Sequence, residues 1–137
     1  MKLVLPIILF FIISTPTQAE DKLLGNWKAK DPPPYHEYEF KKNSDLIYKY
    51  TTYEKVSSYD TKRVPKNNTK LGVWETGSWD ITSSTGAKKS CNLMLYIGEG
   101  QCCFEYSFVA TNLILTKRFE SGYASFCENR VLKKEEN

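Results

Sequence analysis

Histidine is almost missing from this chain: His36 is the only one in 137 residues. Imidazole-based metal centres and paired-histidine chemistry are therefore excluded, and His36, between Tyr35 and Glu37, reads as an ordinary rim histidine. The cysteines show no C-x-x-C spacing. There is no H-E-x-x-H, no phosphate-binding loop and no dinucleotide fingerprint. The serine pairs Ser57-Ser58 and Ser83-Ser84 lack a nucleophile elbow. An enzyme is not expected, and neither is a cofactor or a bound metal. Charge of one sign is not gathered either. Nineteen Lys and Arg stand against sixteen Asp and Glu, for a net charge of +3, and they are interspersed along the chain. A nucleic-acid partner, which needs a clustered basic face, is not expected.

Long hydrophobic runs are missing but for one. Lys2 is followed by apolar residues from Leu3 to Ile13, then by Ser14-Thr15-Pro16-Thr17-Gln18-Ala19 and the acidic pair Glu20-Asp21. A run of about eleven residues is too short to span a bilayer as a helix, which takes about twenty. A charged start, a short apolar stretch and a small-residue end form the layout of a secretory signal peptide. The expectation is a signal peptide over residues 1–19, cleaved after Ala19, and a secreted or periplasmic domain over residues 20–137 that does not span a membrane. The remaining 118 residues suffice for one domain and not two.

What is abundant is tyrosine, nine residues, within an aromatic content of 14%. Apolar residues alternate with polar ones in short runs, the period of half-buried strands. Phe104, Tyr106 and Phe108 share one face of a run; Leu46, Tyr48 and Tyr50 share another; so do Leu93, Leu95 and Ile97. Eight strands are read at roughly 23–30, 35–42, 46–53, 72–82, 91–97, 102–109, 113–119 and 123–133. Short Gly- and Asn-bearing links between them make successive strands antiparallel. Two links differ. Asp31-Pro32-Pro33-Pro34 is a stiff corner, and Glu54–Lys70 is a long polar stretch read as a flap over one end. Closing the last strand onto the first removes the exposed edges of such a meander. The predicted fold is all-β, a single eight-stranded antiparallel up-and-down barrel.

Four cysteines, Cys91, Cys102, Cys103 and Cys127, are even in number, which in an oxidising compartment reads as two disulfides. If 91–97 and 102–109 form a hairpin, Cys91 lies roughly 20 Å of extended chain from the turn, out of reach of Cys102 or Cys103 unless that hairpin is misregistered or its first strand begins later. Bridging the adjacent pair 102/103 would strain the intervening peptide. The count outweighs the strand boundaries. No free thiol is expected, with Cys91 and Cys127 each joined to a different member of the 102/103 pair, or else to each other. Alternation sends Cys102 and Cys103 to opposite faces.

Gly25-Asn26-Trp27 opens the first strand, and Arg130 stands in the last. This G-x-W with a late Arg, and Glu75-Thr76-Gly77-Ser78-Trp79-Asp80-Ile81 between, resembles the calycin superfamily of lipocalins and fatty-acid-binding proteins, especially small bacterial lipocalin-like domains. The resemblance implies a barrel closed at one end by Trp27, with Gly25 allowing close backbone approach and Arg130 laid over the indole ring. It also implies a ligand in the barrel. The candidate lining is Tyr38, Phe40, Tyr48, Tyr50, Trp79, Phe104, Tyr106 and Phe108, whose rings and hydroxyls would hold a small hydrophobic or amphipathic molecule. The rival expectation is a protein–protein module, such as an inhibitor of an extracellular hydrolase, with Glu54–Lys70 and the proline corner as contact loops. An empty interior favours the carrier; a filled one favours the module.

Overall fold

In the computed structural model, residues 18–29, 35–59, 61–122, 124 and 126–135 are described; the apolar N-terminal run and the proline corner lie outside them. A short helix α1 (Gln18–Leu23) leads into eight strands: β1 (Gly25–Ala29), β2 (His36–Phe40), β3 (Asp45–Lys55), β4 (Arg63–Thr82), β5 (Lys88–Ile97), β6 (Gly100–Val109), β7 (Asn112–Ser121) and β8 (Arg130–Lys134). Each pairs antiparallel with the next, and β8 returns to β1, closing the barrel in sequence order. Closure runs through three rungs, Trp27 with Lys134, Lys28 with Lys133 and Ala29 with Leu132. Among the described residues no helix is long and apolar enough to cross a membrane.

The alternation places the core. Inward positions of consecutive rungs supply Tyr38, Phe40, Leu46, Tyr48, Leu93, Leu95, Phe104, Leu113, Leu115 and Leu132, all buried, and Phe126 joins them from the link before β8. Gly72 marks where three strands crowd: it pairs with Leu46 and Ile97, and a β-carbon there would meet the Tyr96 carbonyl oxygen at 2.2 Å. At Gly25 the need for glycine is conformational. Its φ is +120°, a region L-residues avoid, while the nearest atom to an added β-carbon is the flexible end of Lys134. The close backbone approach expected at Gly25 is thus found at Gly72.

The stretch Glu54–Lys70 is not a flap. β3 continues to Lys55 and β4 starts at Arg63, with rungs from Thr51–Asn67 out to Lys55–Arg63. Pro65 and the two asparagines hide this strand in the sequence. Pro65 is tolerated because β5 pairs with β4 only from Gly72 onward, so the outer edge of this segment needs no donor. The polar side chains bond across the pair: Asn68 Nδ2 donates to Thr52 Oγ1 at 3.0 Å, and Thr51 Oγ1 to Asn67 Oδ1 at 3.3 Å.

Two disulfides join Cys91 to Cys103 and Cys102 to Cys127, with Cα separations of 5.8 and 5.5 Å. Rungs between β5 and β6 stop at Leu93–Phe104. Beyond them the Asn92 side chain takes over, accepting from the Tyr106 N–H at 2.7 Å and donating to its carbonyl at 3.3 Å. Released from the ladder, Cys91 turns to the outer face, where it clusters with Cys103, Met94, Trp79 and Phe119. Cys102 points inward and ties β6 to the link before β8 within the core.

Candidate functional site: a filled aromatic interior and the groove beneath a ribbon

Four of the eight expected lining residues, Tyr38, Phe40, Tyr48 and Phe104, are at most 2% exposed. They pack on one another and on their neighbours. Ring centroids lie 5.1 Å apart for Tyr38 and Tyr48, 5.3 Å for Phe40 and Trp74, and 6.0 Å for Tyr48 and Phe126. Tyr50, Tyr106 and Phe108 pack partly buried against this cluster. Trp79 does not join them. It packs against the Cys91–Cys103 cluster on the outer face, an odd number of positions from the inward Trp74, and the β4–β5 register shifts between Thr76 and Trp79.

The buried hydroxyls are satisfied from within the chain. Tyr38 donates to the Phe126 carbonyl at 2.9 Å and accepts from Arg130 Nε at 3.1 Å. The Tyr48 hydroxyl and His36 Nδ1 share a hydrogen bond of 2.7 Å. Burial pushes the Tyr38 phenol up to about 12, opposed by Arg130, and raises Tyr48 as well. Burial, then the Arg130 charge, lowers His36. At neutral pH the phenols stay protonated and the imidazole neutral, and this chain of groups holds the rings in place. The Phe126 carbonyl and the His36–Tyr48 pair carried no sequence signal, because Phe126 comes from an aperiodic link and the pairing spans separate strands.

Trp27 is buried and donates its indole N–H to the Leu23 carbonyl at 2.8 Å. The cation over its ring is Lys134, 5.7 Å from the centroid, and not Arg130. Antiparallel register decides this. Lys134 lies opposite Trp27, and Arg130, opposite Leu115, is four residues, or roughly 13 Å, further along β8. Arg130 instead reaches Tyr38, and Glu128 at 3.4 Å.

Depressions open to the surface among the described residues. One of about 310 Å³ lies where β3 and β4 leave the barrel, lined by Lys28, Tyr35, Glu37, Lys49, Tyr50, Thr51 and Asn67–Thr69; Lys49 and Glu37 form an ion pair across it at 3.6 Å. A second, of about 360 Å³, lies at the opposite end beside Lys22, Trp27, Phe108 and Lys134. A third, of about 210 Å³, adjoins it at Ala29 and Lys133. The fold and its bridges define a disulfide-stapled, closed up-and-down β-barrel. Comparison with protein-family models, curated proteins and solved structures gives no match.

Proposed function

We propose that this chain is an exported protein–protein module of lipocalin-like build that meets its partner on its outer surface. The observation that carries this reading is the packing of Tyr38, Phe40, Tyr48 and Phe104 into a core at most 2% exposed. A ligand inside the barrel would have to displace rings whose hydroxyls are already bonded. Export is supported by the N-terminal layout of residues 1–19 and by two disulfides, which persist in oxidising compartments. The contact surface is the groove of Tyr35, Glu37, Lys49, Thr51 and Asn67. It combines a tyrosine, charges of both signs and polar side chains, the composition of a protein-binding rim. Beside it, the Thr51 N–H still donates to the Tyr35 carbonyl at 3.1 Å, and beyond Thr51 that edge of β3 has no neighbouring strand among the described residues, which suits an added strand.

The carrier is the second reading, favoured by the depression over Trp27 and Phe108, where an amphipathic molecule would lie outside the barrel. A photo-crosslinker at Thr51 tests the first reading. It is expected to trap one partner in the exporting cell, lost on Tyr35→Ser with Lys49→Glu. Native mass spectrometry that finds a co-purifying lipid, removable by extraction, would transfer the proposal to the carrier.

A further inference from the structure

Beyond Tyr50, the last β3 residue paired with β2, the pair β3–β4 continues alone for five rungs to Lys55–Arg63, about 17 Å of free-standing ribbon. Neither edge of it has a neighbouring strand among the described residues. Its tip exposes Val56 at 61% and Tyr59 at 98%, and Tyr53 and Val64 are exposed just behind. The surrounding charge has one dominant sign. From Thr51 to Asn67 the sequence holds Lys55, Lys62, Arg63 and Lys66 against Glu54 and Asp60, a net +2, and Lys49 and Lys70 stand at the ribbon's base. The segment is continuous in sequence, and the β3–β4 pairing presents its basic side chains on one projection.

We propose that the ribbon tip docks this protein onto an anionic lipid bilayer. A bilayer is an anionic surface with an apolar layer directly beneath its charges, which matches an apolar, tyrosine-bearing tip shouldered by basic side chains. Tyrosine favours that interface, and each Lys or Arg held near an anionic leaflet contributes about a fivefold gain in affinity. A nucleic acid or polysaccharide would use the charges but leave Val56 in water. Docking through the tip leaves the groove at the ribbon's base free, so this inference does not depend on the partner proposed above.

The test is co-sedimentation of the purified, oxidised domain with vesicles of phosphatidylcholine alone or with about a third phosphatidylglycerol. Binding to the anionic vesicles alone is expected, reversed at about 1 M salt where screening falls to about 3 Å. Lys55→Glu with Arg63→Glu is expected to weaken it at least twentyfold, counting two charges at about fivefold each. Val56→Ser with Tyr59→Ser changes only exposed side chains and is expected to weaken it about tenfold at unchanged charge. A Tyr59→Trp variant should gain a blue-shifted emission component on anionic vesicles that the wild type lacks. Absence of preferential binding to the anionic vesicles overturns the proposal. So does binding that survives the tip substitutions with no blue shift, and so does preference for a DNA duplex that vesicles fail to displace, which would assign the ribbon to a polyanion.

Discussion

At the scale of single residues, the end of the barrel that carries the ribbon is organised by groups whose titration is shifted by burial. His36 bonds Tyr48 and has its pKa lowered by burial and by Arg130. Below its ordinary value near 6.5, the unfolded chain therefore binds a proton that the native imidazole resists, and stability falls as pH drops from about 6.5 toward the native pKa. Urea unfolding between about pH 8 and 5 should show this loss, and His36→Gln should remove the part of the slope below about pH 6.5. A variant with an unchanged slope would place the imidazole in solvent. Tyr38→Phe tests the neighbouring link. It leaves the Phe126 carbonyl and Arg130 without their shared partner, and should cost about 1–3 kcal/mol in the same assay. None of this polar chain was legible in the sequence. Tyr38 and Tyr48 were legible as inward residues from alternation alone, but their partners arise from strand register and from a link without periodicity. Arg130 shows the same limit: a motif located it on the last strand, and only the register with β1 decides which ring it can reach.

At the scale of elements, the alternation of apolar residues located most strands to within a few positions, because each needs one face buried. It failed where that physics is absent. The outer halves of β3 and β4 bury little, so their sequence is free to be polar and to carry Pro65, Asn67 and Asn68, and nothing in it marks a strand. Replacing residues 53–65 by Asn-Gly should accordingly leave barrel stability within about 1 kcal/mol of wild type by urea unfolding, the range of surface changes. Trp27→Ala is the contrasting case. Trp27 is buried, contacts Phe108 with ring centroids 5.9 Å apart and holds the Leu23 carbonyl, so its loss should cost about 3–5 kcal/mol. The disulfides divide in the same way. Chain entropy assigns roughly 3 kcal/mol to each of the two loops, spanning 12 and 25 residues. Only Cys102–Cys127 also sits in the main core, so Cys102→Ser with Cys127→Ser should destabilise more than Cys91→Ser with Cys103→Ser.

At the scale of the whole molecule, the question is whether a barrel of this size encloses a ligand or only itself. Eight strands give an interior that side chains can just fill, and strand count alone leaves both outcomes open. The difference lies in side-chain volume, where Tyr and Phe at inward positions of β2, β3 and β6 take the space that small residues would leave. Alternation shows which residues face inward, while the space their rings leave depends on strand register and tilt. If the rings fill the interior, wild-type protein should show no saturable binding of an apolar fluorescent probe within the barrel, and Phe104→Ala should create that binding. Removing a fully buried ring opens an apolar space, and engineered cavities of about 150 Å³ take up benzene-sized molecules. The substitution should cost about 3–5 kcal/mol, which a domain of this length, at roughly 6–18 kcal/mol in total, survives with its disulfides intact. A probe titration of wild type and variant under oxidising conditions checks both arms. Gain of binding on Phe104→Ala with none in wild type is the expected result. Equal, stoichiometric binding by both proteins would mean that a ligand site exists elsewhere, with the depression over Trp27 and Phe108 as its location, and would return the carrier reading to first place.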